Sequence, residues 1–141
     1  MKILLAVDGS DPARRATQRT ITLAGELRQA PELHLLTVHP AVPSGLVQRH
    51  ISQASLDAYY REESEAVLKP FREQLEAAGL TYTPHILVGI PAEAIAHEAS
   101  RLNCDLICMG TRGMGRVGDA ILGSVARATT HHASVPVLLI K

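Results

Sequence analysis

The chain has 141 residues, 46% of them hydrophobic, and its 14 basic and 14 acidic residues leave no formal net charge. This length suits one globular domain over residues 1–141 with a single core. A neutral chain argues against general nucleic-acid binding, which normally requires a basic excess. The apolar run at residues 3–7 is too short for a signal peptide, and no apolar run approaches the length of a membrane span, so we expect a cytoplasmic protein without a membrane partner.

Apolar stretches of strand length alternate with helical patterns along the whole chain. The predicted strands are residues 2–8, 33–39, 81–88, 105–109 and 135–140. The predicted helices are residues 12–29, 53–78, 91–102 and 123–132, and residues 41–52 form a loop with room for one turn of helix. Pro70 is expected to kink or divide the long second helix, and Pro84 indicates a sheet edge or a bulge.

This alternation, without internal repeats, predicts a doubly wound α/β domain with five parallel strands and helices on both faces of the sheet. Right-handed crossovers give the strand order 3-2-1-4-5, because the chain must cross back to place the fourth strand beside the first. In open parallel sheets a ligand binds beyond the carboxyl ends of the strands, where the winding reverses. That point lies between Asp8 and Gly110, at the ends of the first and fourth strands.

A glycine-rich loop with two arginines follows the fourth predicted strand. It carries Gly113, Gly115 and Gly118, and it ends at Gly123, where a helical pattern begins. Glycines let backbone N–H groups come close to an anion, and a helix N-terminus adds unpaired donors and a favourable dipole. The loop therefore predicts a phosphate site.

Two familiar phosphate motifs do not account for this loop. Residues 118–124 lack the lysine that a P-loop places before Ser or Thr. Residues 113–118 fit the dinucleotide fingerprint by letter, but that motif follows the first strand of its fold and needs an acidic residue about 20 positions later. Here that region, residues 135–140, contains no acid.

A third pattern remains, Gly-x2-Gly-x9-Gly-Ser over residues 110–124. It resembles the ATP-binding branch of the universal stress protein family. The opening Ile-Leu-Leu-Ala-Val-Asp-Gly-Ser at residues 3–10 and the closing Ser-Val-Pro-Val-Leu-Leu-Ile at residues 134–140 look like that family too. The resemblance covers nearly the whole chain and implies a Rossmann-like fold of the adenine nucleotide alpha hydrolase type. It also implies a bound ATP or another adenine nucleotide, with Mg²⁺ at the phosphates.

The loop and the resemblance together assign a set of nucleotide-binding residues. These are Ala6, Val7, Asp8, Val38, Met109, Gly110, Arg112, Gly113, Gly123, Ser124 and Val125. By resemblance, Asp8 would accept a hydrogen bond from a ribose hydroxyl or assist Mg²⁺, and Val38 would meet the adenine through its backbone. Three of these residues have alternative roles. Asp8 could cap the turn into the first helix, Met109 could be an ordinary core residue, and Arg112 could be a solvated loop residue. Arg116 is less suited than Arg112 to binding phosphate.

The remaining reactive side chains indicate no catalytic site. Cys104 and Cys108 lie four residues apart, which on a strand puts both on one face and predicts buried thiols rather than metal ligands. None of the seven histidines is assigned to chemistry. His131 and His132 end the last predicted helix, His39 lies near the proposed base pocket, and the others are scattered without ligand spacing: His34, His50, His85 and His97. No nucleophile–His–acid set is visible, so we expect at most slow ATP hydrolysis or self-phosphorylation.

The last predicted strand is more apolar than an exposed sheet edge should be. Members of the resembled family pair through this strand, which implies a two-fold homodimer. The implied interface residues are Val135, Pro136, Val137, Leu138 and Leu139.

Three functions are compatible with these features. The first is a small cytoplasmic stress-response regulator that binds ATP, with an unidentified downstream protein partner. The second is a nucleotide-free dimeric scaffold of the same fold. The third is an enzyme related by fold that cleaves an α–β phosphate bond, and it would need a pyrophosphate loop after the first strand, where residues 9–11 are short and acidic.

Overall fold

The computed structural model describes residues 1–47, 51–113 and 122–141, so Arg116 lies outside the described residues. The strands are β1 (Lys2–Ala6), β2 (Glu32–His39), β3 (Thr83–Val88), β4 (Leu106–Gly110) and β5 (Val137–Ile140). The helices are α1 (Asp11–Glu26), α2 (Ser44–Val47), α3 (Gln53–Ala77), α4 (Pro91–Arg101) and α5 (Ser124–His132). Within the described ranges, no helix is long and apolar enough to cross a membrane.

The five strands form one parallel sheet in the order β3-β2-β1-β4-β5, which confirms the predicted topology. β1 is central, with Ile3 opposite Leu33 of β2 on one side and opposite Leu106 of β4 on the other. The winding reverses between β1 and β4. A crevice is expected at this point, because the connections leaving the two strands run to opposite faces of the sheet.

Helices cover both faces of the sheet and create two hydrophobic cores. One core joins Ile3 and Leu5 of β1 to Phe71 of α3 and to residues of α1, and the other joins Leu4 of β1 to Ile95 of α4 and to residues of α5. Successive β1 residues therefore face opposite cores, as strand geometry requires. Full burial of each such side chain contributes about 1.5–3 kcal/mol, which explains why residues 3–6 of this strand are all apolar.

Three strands are shorter than the sequence predicts, and one of them, β3, begins at Thr83 rather than at residue 81. The first ends at Ala6 rather than at Asp8, because Gly9 adopts φ 84° and turns the chain toward α1. The last begins at Val137 rather than at residue 135, since Pro136 has no N–H with which to continue a ladder. The Pro136 carbonyl nevertheless accepts a hydrogen bond from Ile107 N at 3.0 Å, so the chain already runs beside β4 at residue 136.

The two prolines inside elements have different outcomes. Pro84 lies in β3, which is at one edge of the sheet, as its missing donor predicts. The expected division of the long helix at Pro70 is wrong, because α3 continues through it as a single helix of 25 residues. Leu68 and Phe71, on either side of that proline, are fully buried, and their packing offsets the hydrogen bond that proline removes.

Both cysteines are buried free thiols, but they do not share a face as predicted. Cys104 precedes β4, so the period of two that relates side chains within a strand does not apply to it. Cys108 belongs to the core under α1 and α3, whereas Cys104 belongs to the core under α4 and α5. Burial raises the pKa of both thiols, which disfavours the reactive thiolate.

Candidate functional site

A cavity of about 450 Å³ lies at the carboxyl ends of β1, β2 and β4. Ala6, Val38 and Met109 line it from these three strands. The helices α1, α3, α4 and α5 each contribute lining residues, so elements from both faces of the sheet meet around it. Its position is the point where the winding reverses, which is where sheets of this type hold their ligands.

All eleven residues assigned to nucleotide binding from the sequence line this cavity. Sequence reasoning missed the contribution of α3, which brings Glu63, Ser64 and Val67 to the lining, and that of α4, which brings Pro91 and Ile95. One signal for α3 was present in the sequence. Ser64 is a polar residue within the apolar stripe of that helix, and a polar residue on a buried face indicates either a hydrogen-bonded neighbour or a ligand.

Asp8 orders the turn between β1 and α1. Its Oδ1 accepts hydrogen bonds from the backbone N–H of Ser10 at 3.0 Å and from the Ser10 hydroxyl at 2.6 Å. Ser10 Oγ in turn caps α1 by accepting from Ala13 N at 3.2 Å. The second carboxylate oxygen, Oδ2, faces Gly113, where an added Cβ would lie 2.6 Å away. Asp8 therefore has a capping role on one oxygen and leaves the other beside the glycine loop.

Two of the motif glycines lie where the chain packs closely on itself. A Cβ on Gly110 would lie 2.7 Å from Pro12 Cβ, so glycine lets the start of α1 pack directly on the end of β4. A Cβ on Gly123 would lie 3.1 Å from the Thr111 carbonyl oxygen, and the Gly123 N–H already donates to that oxygen at 2.7 Å. The Gly123 N–H is therefore engaged within the chain. The next N–H groups, on the first residues of α5, are the ones available to an anion.

The N-terminus of α5 faces the cavity through Ser124 and Val125. The preceding residue, Gly123, provides no side-chain cap. The first N–H groups of a helix have no intrahelical acceptor, and the dipole makes that end attractive to negative charge. α1 differs, because the Ser10 hydroxyl caps it. Arg112 also lines the cavity and is exposed, so a positive side chain and free amides lie on the same side.

The opposite side of the cavity lies between β1 and β2, where Leu36 and Val38 contribute apolar side chains and Thr37 a polar one. The backbone bond from Val7 N to the Leu36 carbonyl, 2.9 Å long, continues the β1–β2 ladder one residue beyond the end of β1. Main-chain groups two residues apart on a strand point to the same side. The N–H and C=O groups of Val38 therefore point into the space past the end of β1, where Val38 lines the cavity.

One buried pair of histidines lies outside the lining of this cavity. His34 Nδ1 is 2.9 Å from His85 Nε2, and His85 Nδ1 is 3.4 Å from Glu98 Oε1. Two hydrogen bonds from Arg101, of 2.9 and 2.6 Å, hold the pKa of Glu98 below its ordinary value, and burial lowers the pKa of His85. The expectation of scattered histidines is wrong for this pair, because adjacent parallel strands bring residues 51 positions apart into contact. No group of three or more His, Cys, Asp or Glu among the described residues could hold a metal ion.

Comparison with known proteins identifies the same family that the sequence motifs resemble. The model of the universal stress protein family matches residues 1–141 of this chain. A universal stress protein of Thermus aquaticus is 38% identical over 143 residues, covering 99% of this chain and 97% of the relative. Among solved structures, the hypothetical protein MJ0577 is similar with a TM-score of 0.85 and 28% identity, covering 99% of this chain and 94% of that one.

Two further solved structures with this fold contain a bound nucleotide. A universal stress protein in complex with cAMP has a TM-score of 0.75 at 22% identity, covering 100% of this chain and 97% of that one. A universal stress protein family protein of Arabidopsis thaliana with AMP bound has a TM-score of 0.68 at 20% identity, covering 100% of this chain and 91% of that one. At these identities the comparison shows a shared fold.

Proposed function

Since this chain belongs to the universal stress protein family, we propose that it is a small cytoplasmic stress-response regulator that binds ATP, or another adenine nucleotide, between β1 and β4. One observation carries the proposal: a single cavity of about 450 Å³ is lined by all eleven residues assigned from the sequence. This volume lies in the range of small-molecule sites, about 300–1,000 Å³. The cAMP and AMP complexes of proteins with this fold support an adenine nucleotide as the ligand.

The side of the cavity between β1 and β2 would hold the base. The N–H and C=O groups of Val38 point together into this space, and adenine offers an acceptor (N1) beside a donor (the 6-amino group). Guanine offers the reverse arrangement, a donor at N1 and an acceptor at O6. Because a mismatched donor or acceptor is left unpaired on burial, we expect GTP to bind at least about tenfold more weakly than ATP.

The other side of the cavity would hold the sugar and the phosphates. Asp8 Oδ2 would accept a hydrogen bond from a ribose hydroxyl, and the N–H groups of Ser124 and Val125 with the Ser124 hydroxyl would bind phosphate oxygens. A charge-assisted bond from Arg112 would add about 1.5–3 kcal/mol. Mg²⁺ would be held mainly by the phosphates, with the Asp8 carboxylate beside it. Micromolar affinity requires about 8 kcal/mol in total, which a few such bonds and the buried base can supply.

Calorimetry with ATP and Mg²⁺ tests the proposal. We expect micromolar binding by the natural protein and weaker binding by Asp8→Asn, which replaces one carboxylate oxygen with an amide nitrogen. Asp57→Asn is the matched control, because it makes the same exchange at an exposed position of α3 that does not line the cavity, so its affinity should be unchanged. No heat at millimolar ATP would contradict nucleotide binding and leave the dimeric scaffold.

The identity of the natural ligand and the extent of turnover need separate measurements. Mass spectrometry of nucleotide carried through purification would distinguish ATP from AMP, ADP and cyclic nucleotides. We propose that the nucleotide acts as a regulatory ligand with at most slow hydrolysis. Residues 7–10 connect β1 directly to α1, whose N-terminus Ser10 already caps, which leaves little room for a pyrophosphate loop. Release of AMP and pyrophosphate from ATP would contradict this view and support the adenylating enzyme.

We propose that two copies pair through the edge strand β5. Residues 137–140 are only half-buried in the single chain, and residues 135 and 136 lead into them along the same edge. An apolar, unpaired strand edge is otherwise a site of uncontrolled association, and a two-fold interface covers it. Analytical ultracentrifugation at micromolar concentration should show a dimer. A monomer under these conditions would contradict the pairing and leave the nucleotide site unaffected.

A further inference from the structure

Ser64 carries a buried hydroxyl group with no hydrogen-bond partner in the described part of the chain. It lies on the inner face of α3, and only 1% of its surface is exposed. A buried serine or threonine in a helix ordinarily bonds to the carbonyl four residues earlier, as Thr17 and Thr20 do in α1 at 2.9 and 2.8 Å. An unsatisfied buried hydroxyl destabilises a fold, so its presence calls for a partner that the protein alone does not provide.

The surroundings of Ser64 show which part of the cavity it faces. One turn before it, the Tyr60 ring packs on His39 at the end of β2, with the ring centroids 5.0 Å apart. One turn after it, Val67 Cγ1 lies 3.9 Å from the Cβ position of Gly9, which follows β1. Ser64 itself lines the cavity, but its hydroxyl is buried beneath the lining, so bonding a ligand requires a change of its side-chain rotamer. The residue therefore lies over the gap between the ends of β1 and β2.

We propose that the Ser64 hydroxyl hydrogen-bonds to the nucleoside part of the bound nucleotide and contributes to its affinity. This inference rests on the function proposed above, because the ligand is taken to be an adenine nucleotide. Base nitrogens and ribose hydroxyls are both polar atoms that a serine hydroxyl can bond. The phosphates are bound from the β4 side, so the contribution of Ser64 is the same for AMP and for ATP.

The test is the Ser64→Ala variant, with affinity and stability measured separately. Removing one neutral hydrogen bond should weaken binding of ATP and of AMP by the same factor, about tenfold. The free variant should be at least as stable toward urea as the natural protein, because an unsatisfied hydroxyl is gone. Thr129→Val is the matched control: Thr129 Oγ1 is also buried without a partner among the described residues, and it does not line the cavity. That variant should bind ATP with unchanged affinity.

Each result decides a different point. Equal affinities of the natural protein and Ser64→Ala would overturn the role of Ser64 and leave nucleotide binding intact. A loss with ATP but not with AMP would overturn the placement at the nucleoside, and a loss of affinity together with reduced stability would indicate a structural role instead. Absence of binding by the natural protein would overturn the proposed function and this inference with it.

The analogues 2′-deoxy-ATP and 3′-deoxy-ATP identify the bonded atom. If the bond goes to a ribose hydroxyl, the effect of Ser64→Ala disappears with the analogue that lacks this hydroxyl. If the bond goes to the base, the tenfold effect persists with both analogues.

Discussion

A methyl group at Gly110 should destabilise the folded protein even without ligand. The added Cβ would lie 2.7 Å from Pro12 Cβ, 2.9 Å from the Pro12 carbonyl carbon and 3.0 Å from Ala13 N. Carbon atoms in proteins pack about 3.5–4.0 Å apart, and two of these three atoms belong to the main chain of the first turn of α1. Relief therefore requires the helix to move away from β4. Overpacking of this kind costs about 1–3 kcal/mol, which corresponds to a Tm lower by about 3–10 °C for a chain of this length.

Urea and thermal unfolding of the free protein measure this effect. Gly25→Ala is the matched control, because Gly25 lies in α1 and its added Cβ would have no atom within 4 Å. Alanine has the higher helix propensity, so the control should gain up to about 1 kcal/mol. A Gly110→Ala variant as stable as the natural protein would refute the close packing of β4 on α1. Gly110 would then be needed, if at all, for the ligand.

Three more variants test separate parts of the structure. Gly113→Ala would place a Cβ 2.6 Å from Asp8 Oδ2 and displace that carboxylate, so calorimetry should show ATP affinity lower by at least about tenfold. Unchanged affinity would contradict this. Because burial lowers the pKa of His85 below 6.5, the unfolded chain binds more protons there, and stability should fall as the pH drops below 6.5. His85→Gln should reduce this slope in urea unfolding at about pH 7 and about pH 5.5, and equal slopes would exclude this histidine as the cause. Ser10→Ala removes the cap of α1 and the bond to Asp8, at a cost of about 1–2 kcal/mol in urea unfolding, whereas Ser52→Ala, at the exposed cap of α3, should cost less.

The sequence by itself determined the order of the elements and the arrangement of the sheet. Alternating strand and helix patterns have few arrangements once crossovers are right-handed, so the order 3-2-1-4-5 and the crevice at its reversal followed from local patterns. The edge position of the strand containing Pro84 was also readable, because proline lacks the donor that a central strand needs. The residues assigned around Asp8 and Gly113 line one cavity, and they could be named from the sequence because a motif and the topology indicated the same place.

Only the tertiary structure decided which distant residues meet. Gly110 packs against Pro12, almost a hundred positions away, and His34 bonds to His85 across two strands. Cys104 lies in the core opposite that of Cys108, since it precedes the strand whose period would have aligned them. Ser64 reaches the cavity from a helix that carries no part of the motif. Periodicity states which face of an element is buried, but the neighbour on that face depends on how the elements pack together, and that information is not local in the chain.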